Sequence, residues 1–200
     1  MQPYEIIGSP FSVYVAPSGT AFPVLGVAPG VAWTLLGING TRSQDEDGVT
    51  ITHGQTVNDV RAAGSTGPIK ALRSEEELTI AFSLMDLTLE TYAMVLNGAT
   101  VTTVAPGVST IGTKKIGLSR GFTVKEFAML VRGPSPYNEA FPAQFEVPRV
   151  YESASAAPQF TKGQPAVLAC EFRALEDLAA ATEQERFGRL IAQHLAATGP

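Results

Sequence analysis

Residues 69–84 constrain the fold more than any other stretch of the chain. From Leu78 onward, Leu78, Ile80, Phe82 and Leu84 fall on one side of an extended chain. Thr79, Ala81 and Ser83 fall on the other, and Glu75 and Glu77 carry the polar side backwards. Successive side chains of a strand point to opposite faces, so alternation over this length predicts a strand with one buried and one wet face. Residues 166–174 repeat the pattern, with Leu168, Cys170 and Phe172 opposed to Ala169, Glu171 and Arg173. The chain is also cut into short segments by 19 glycines and 14 prolines. Together these features predict a mainly β domain with many turns.

Further strands are expected at residues 11–16, 33–37, 49–52, 123–131 and 145–153, with residues 56–61 continuing or pairing with the third. Pro148 would interrupt a ladder and suits only an edge or a bulge. Residues 43–48, which hold Asp45, Glu46 and Asp47, read as a solvated acidic loop. Residues 64–68 read as a hairpin turn, and 132–136 and 153–158 as loops. Leu89, Tyr92, Ala93 and Leu96 recur at helical spacing, with Asp86 or Thr88 placed to cap the start and Asn97-Gly98 to stop it. At the end of the chain, Thr182 and Glu185 have capping-box spacing and Phe187, Leu190, Ile191, His194 and Leu195 keep helical spacing after them. Gly188 weakens that helix, and the other reading is an arm that orders on a neighbour. The expected organisation is a β domain over residues 1–177 and a C-terminal helix or arm over 178–200.

Only 16% of residues are charged, against roughly a quarter in an ordinary soluble domain. A subunit that hides much of its surface against copies of itself can carry so few. The net charge of −5 argues against a protein that grips phosphates. The single cysteine, Cys170, excludes an intramolecular disulfide and is expected to be buried. Residues 1–8 lack the basic and apolar regions of a secretory signal, and no run of about 18 apolar residues exists. The expectation is a chain made in a cytoplasm, not inserted in a membrane, and soluble until it assembles.

Chemistry-bearing patterns are sparse. Residues 64–68 lack the Gly-Lys-Ser/Thr that completes a phosphate loop. His53 and His194 are far apart without a cluster of metal ligands, and His53 reads as a turn residue. Glu75, Glu76 and Glu77 form a solvated run. Residues 117–121 satisfy G-x-S-x-G around Ser119, but that elbow needs a following helix, and 122–124 look like strand. No catalytic residue, cofactor or metal is expected, and the chain reads as not an enzyme.

The order of segments resembles the major tail tube proteins of long-tailed bacteriophages, whose design is similar to that of type VI secretion tubes. The resemblance begins near Trp33-Thr34-Leu35-Leu36-Gly37 and runs through residues 49–70, 73–82 and 89–92. It returns at Arg132-Gly133-Pro134-Ser135-Pro136, at Glu146-Val147-Pro148-Arg149 and at residues 170–177. It implies a two-sheet β-sandwich or barrel with one flanking helix. It also implies six-membered rings that stack into a tube, with strands of all subunits merging in an inner barrel. Partners implied are other copies of the chain, a tape-measure protein and a tail terminator, in a virion tail assembled in the host cytoplasm. DNA would cross the lumen without specific binding. Glu75, Glu77, Thr79, Ser83, Glu171 and Arg173 are the lumen-lining candidates, and a mostly negative wall would repel phosphates. The other reading of that face is plain exposure to water. Asp45, Glu46, Asp47, Ala62, Ala63, Gly64 and Ser65 are candidates for ring stacking. The alternatives are a single-ring tail-completion, terminator or baseplate-hub protein, and a β-sandwich module for carbohydrate or a host surface. The last would need exposed aromatics, whereas Trp33, beside Leu35 and Leu36, reads as buried.

Overall fold

The computed structural model describes residues 7–158, 160–163 and 165–196. In chain order the strands are β1 Ser12–Pro17, β2 Thr34–Leu35, β3 Gln44–Arg61 and β4 Pro68–Leu84, followed by helix α1 Leu89–Val95. Then come β5 Thr102–Val104, β6 Thr113–Lys115, β7 Phe127–Ser135, β8 Asn138–Glu152, β9 Leu168–Ala174 and β10 Arg189–Ala192. Among the described residues eight strands form one antiparallel sheet in the order β2-β1-β7-β8-β9-β4-β3, with β10 on β8, while β5 and β6 pair only with each other. The sheet curls on itself in a sandwich-like way. Val13 and Val15 of β1, near one end, therefore share a single core with Ile80 and Phe82 of β4, near the other.

The alternation in β4 does what it predicts. Leu78, Ile80, Phe82 and Leu84 are buried, and in β9 so are Leu168, Cys170 and Phe172. The rings of Phe82 and Phe172 stack 6.1 Å apart, and Phe127 meets Phe172 edge-on at 6.5 Å. Burial also pushes the Cys170 thiol up to about 12, consistent with a packing role. Helix α1 seals one end with Met94 and Val95. Its first turn is capped by Thr88, whose Oγ1 accepts from the Thr91 N–H at 3.1 Å, and Asn97 and Gly98 end it at positive φ. Trp33 is buried with Ala16, Ala128 and Leu130 in a small second cluster on the other side of the sheet.

Several elements differ from the sequence expectation. The acidic residues Asp45–Asp47 are not a loop: they form the bulged start of β3, where pairing passes from Gln44↔Leu84 directly to Val49↔Phe82. His53 is not in a turn but in mid-strand, opposite Leu78. Residues 123–126 lie outside β7, which instead continues through Arg132–Ser135. Pro134 there faces Pro142 of β8, so the donors both prolines lack are confined to one rung of the ladder. Pro148 lies at a bulge, since Phe127 pairs with Val150 and Met129 with Val147.

Among the described residues no C-terminal helix forms; residues 197–200 of the expected segment lie outside them. Residues 183–185 make a single 3-10 turn, and β10 then pairs antiparallel with residues 143–146 of β8. Gly188 decides the path. It adopts φ 117°, and a Cβ there would collide with the Glu146 carbonyl. Only glycine brings the chain this close to β8 at that angle.

Candidate assembly surfaces

Strands β3 and β4 are 18 and 17 residues long, about three times the usual strand. Only their inner part packs on the core. Apart from Gly67, residues 55–76 are exposed throughout, so the outer half of the hairpin projects from the body. At about 3.3 Å per residue it reaches roughly 25 Å. Val57, Val60, Ile69 and Leu72 on this projection are 39–63% exposed. The tip is a turn in which Ser65 N–H donates to Ala62 O at 3.0 Å. Ala62, Ala63, Gly64 and Ser65 are therefore displayed at its far end.

An isolated ribbon gains little from burial, and its stability rests on cross-strand pairs. Arg73 Nε donates to Gln55 Oε1 at 3.0 Å, and Thr56 Oγ1 donates to Glu75 Oε2 at 3.1 Å. A bulge at Ser74, where pairing passes from Thr56↔Glu75 to Val57↔Arg73, reverses which β4 side chains face which way beyond it. The far half thus carries apolar residues on both faces: Val57 on one, Val60 and Leu72 on the other.

The six residues singled out for a lumen are brought together. Thr79↔Arg173, Ala81↔Glu171 and Ser83↔Ala169 are cross-strand pairs, and Glu77 and Glu75 continue the same face of β4. This face lies opposite the one that carries Ile80 and Phe82 into the core. Arg173 Nη2 lies 2.8 Å from Glu77 Oε1, Thr79 Oγ1 donates to the same carboxylate, and Ser153 Oγ donates to Glu171 Oε1 at 2.8 Å. Three carboxylates against one guanidinium leave the face negative. Thr50 and Thr52 of β3, opposite Ala81 and Thr79, extend it with small polar side chains.

Among the described residues β3 pairs only with β4, so its other edge offers unpaired backbone groups along its length. Beside it an open groove of about 620 Å³, floored by Ile51, Leu78, Phe145 and Phe187, separates the base of the hairpin from β8 and β10. A smaller apolar concavity of about 300 Å³, which includes Phe11, Val49 and Phe145, adjoins it. The curled sheet does not close across this seam.

Two polar arrangements escaped the sequence reading. Gln144, fully buried on β8, accepts from Arg132 Nη2 and donates through Nε2 to Pro23 O at 2.9 Å. Its neighbour Glu146, also buried, holds Arg189 Nε at 2.7 Å. Together they tie residues 23–27 and β10 to the outside of the sheet. The second is Glu152, buried at the end of β8, with Arg120 Nη1 3.3 Å from Oε2. Desolvation raises its pKa to about 6 against the pull of Arg120. A buried polar residue in a strand has no periodicity of its own, so neither was visible in sequence. Ser119 lies in the irregular segment between β6 and β7, its Oγ accepting from Gly121 N–H, with no helix after it. His194 is exposed, with its ring 6.1 Å from that of Tyr137. Among the described residues no helix is long and apolar enough to cross a membrane, and no three His, Cys, Asp or Glu converge as metal ligands.

No protein-family model matches the sequence, and no curated protein matches it. Among solved structures, the fold is similar to a chain of the anti-feeding prophage baseplate, determined by cryo-electron microscopy with six-fold symmetrisation. The TM-score is 0.52 at 8% identity, and the match covers 96% of this chain and 97% of the other.

Proposed function

We propose that the chain is a structural subunit that assembles with copies of itself into rings of a phage-tail-like particle. The observation that carries the reading is an unfinished sheet. An 18-residue edge strand, an open seam and a projecting ribbon with apolar residues on both faces are hazards for a monomer. Closing strands of several subunits into one barrel removes the edges. The likeness to a baseplate chain supports an assembly of this kind. In such a ring the negative face of β4 and β9 lines the channel, and the hairpin carrying Ala62–Ser65 reaches a neighbouring subunit or ring. The interface is obligate in the assembled state, where such contacts commonly bury about 2,000 Å² or more.

Negative-stain microscopy of the concentrated, purified chain tests this. Rings or tubes are expected, and a monodisperse monomer at every concentration overturns it. Stacking into long tubes marks a tube subunit with DNA passing through its lumen. Single rings that never stack mark the second reading, a baseplate-hub or tail-completion ring, which the prophage baseplate likeness favours. For the lumen, Glu75→Lys with Glu77→Lys is expected to leave particles assembled and impair DNA delivery. Unchanged delivery removes the channel assignment.

A further inference from the structure

Charge along the chain is strongly uneven. Residues 91–125 hold Lys114, Lys115, Arg120 and Lys125 and no acidic residue, in a chain whose net charge is −5. The same stretch contains the β5–β6 hairpin, which among the described residues pairs with no other strand. It also displays Val104, Val108, Ile111, Leu118, Phe122 and Val124, each more than half exposed. Phe122 and Val108 are fully exposed, and exposed aromatic and aliphatic side chains of this kind are what an interface core buries. Two of the cations are engaged at the base, Lys114 with Glu90 and Arg120 with Glu152. Among the described residues Lys115 and Lys125 have no ion pair.

A surface of opposite character lies at the start of β3. Asp45, Glu46 and Asp47 are in none of the ion pairs among the described residues. Beside them is an exposed apolar side chain, Met85, whose N–H bonds Ser43 O at 2.7 Å and which is 39% exposed. No ion pair joins the two surfaces within the chain. We propose that residues 102–125 of one copy dock on the acidic, apolar-flanked start of β3 in the next copy, a head-to-tail contact that joins subunits. This rests on the ring-subunit reading and names one of its contacts. A head-to-tail contact between different patches forms rings or filaments rather than closed pairs, as that reading requires.

The test reverses charge on each side in the full-length chain. Lys115→Glu with Lys125→Glu, and separately Asp45→Lys with Glu46→Lys and Asp47→Lys, are each expected to lower the sedimentable assembled fraction at least about tenfold. Combining them restores assembly, and Phe122→Ser lowers it without touching charge. Thermal melts near wild type show that the variants fold. Wild-type assembly unchanged in both charge variants overturns the proposal and leaves the ring reading standing. A wild-type chain that never assembles overturns both. Binding of a double-stranded DNA probe that Lys115→Glu with Lys125→Glu abolishes, while assembly persists, assigns the basic surface to nucleic acid instead.

Discussion

Burying Glu152 has a cost that can be measured. Its side chain is removed from water, one oxygen faces Arg120, and Oε1 finds no hydrogen-bond partner among the described residues. The folded-state pKa of about 6 lies above the ordinary value of 4.5, so the fold binds this proton more tightly than the unfolded chain does. Between these values stability rises as pH falls. The contribution is fully present below 4.5 and lost as pH climbs through about 6. The shift of roughly 1.5 units corresponds to about 2 kcal/mol. Glu152→Gln keeps the shape and removes the ionisation. It is expected to be more stable than wild type by about 2 kcal/mol at pH 7.5 and equal to it near pH 4. In a chain of this size that is a rise of about 4–8 °C in Tm at the higher pH. Urea unfolding of both proteins at pH 7.5, 6, 5 and 4 reads the difference, in which the other carboxylates cancel. A variant less stable than wild type at pH 7.5 would show that the Arg120 pair outweighs desolvation. A pH-independent difference would show that Glu152 is not the titrating group. Either result refutes the reasoning.

Phe172→Ala removes the ring shared by Phe82 and Phe127 and is expected to cost about 3–5 kcal/mol in urea unfolding. Gly188→Val forces the chain off Glu146 and frees β10, so limited proteolysis should cut residues 183–196 much faster while the rest of the sheet resists. Replacing residues 57–72 with Asn-Gly shortens the ribbon without touching the core. The monomer melt is expected to stay within a few degrees of wild type, while microscopy shows no rings or tubes. Thr88→Ala removes the cap of α1 and is expected to cost about 1 kcal/mol, read by the same urea titration.

What the sequence disclosed follows where burial writes a pattern. Residues 78–84 and 168–174 alternate because one side of each strand meets the core, and the lumen candidates share one face as a direct consequence of that alternation. The far half of β3 and β4 has no buried side, and a bulge at Ser74 breaks its phase, so its length was not legible. Pro134 reads as loop, yet the ladder tolerates it at the one rung where it faces Pro142, while Pro148 sits at a bulge as its missing donor requires. At the C-terminus, Phe187, Leu190, Ile191 and Leu195 keep helical spacing, but pairing with β8 overrides it. Glycine at 188 permits the turn, and the Arg189–Glu146 pair holds it. The absence of acids from residues 91–125 was there to be read, and a charge count by segment would have found it.

The monomer divides its stability and its stickiness between separate places. Its core is built by Phe82, Phe127 and Phe172 together with Met94 and Val95 of the capped helix. The β3 edge, the ribbon tip, the basic β5–β6 segment and the acidic start of β3 all lie outside that core. The basic β5–β6 segment and the acidic start of β3 differ in sign, so copies of the same one repel while the two attract. Under the proposed docking, that difference in sign sets one orientation for a second copy. A ring subunit of the kind proposed needs such a directional contact between unlike patches to close.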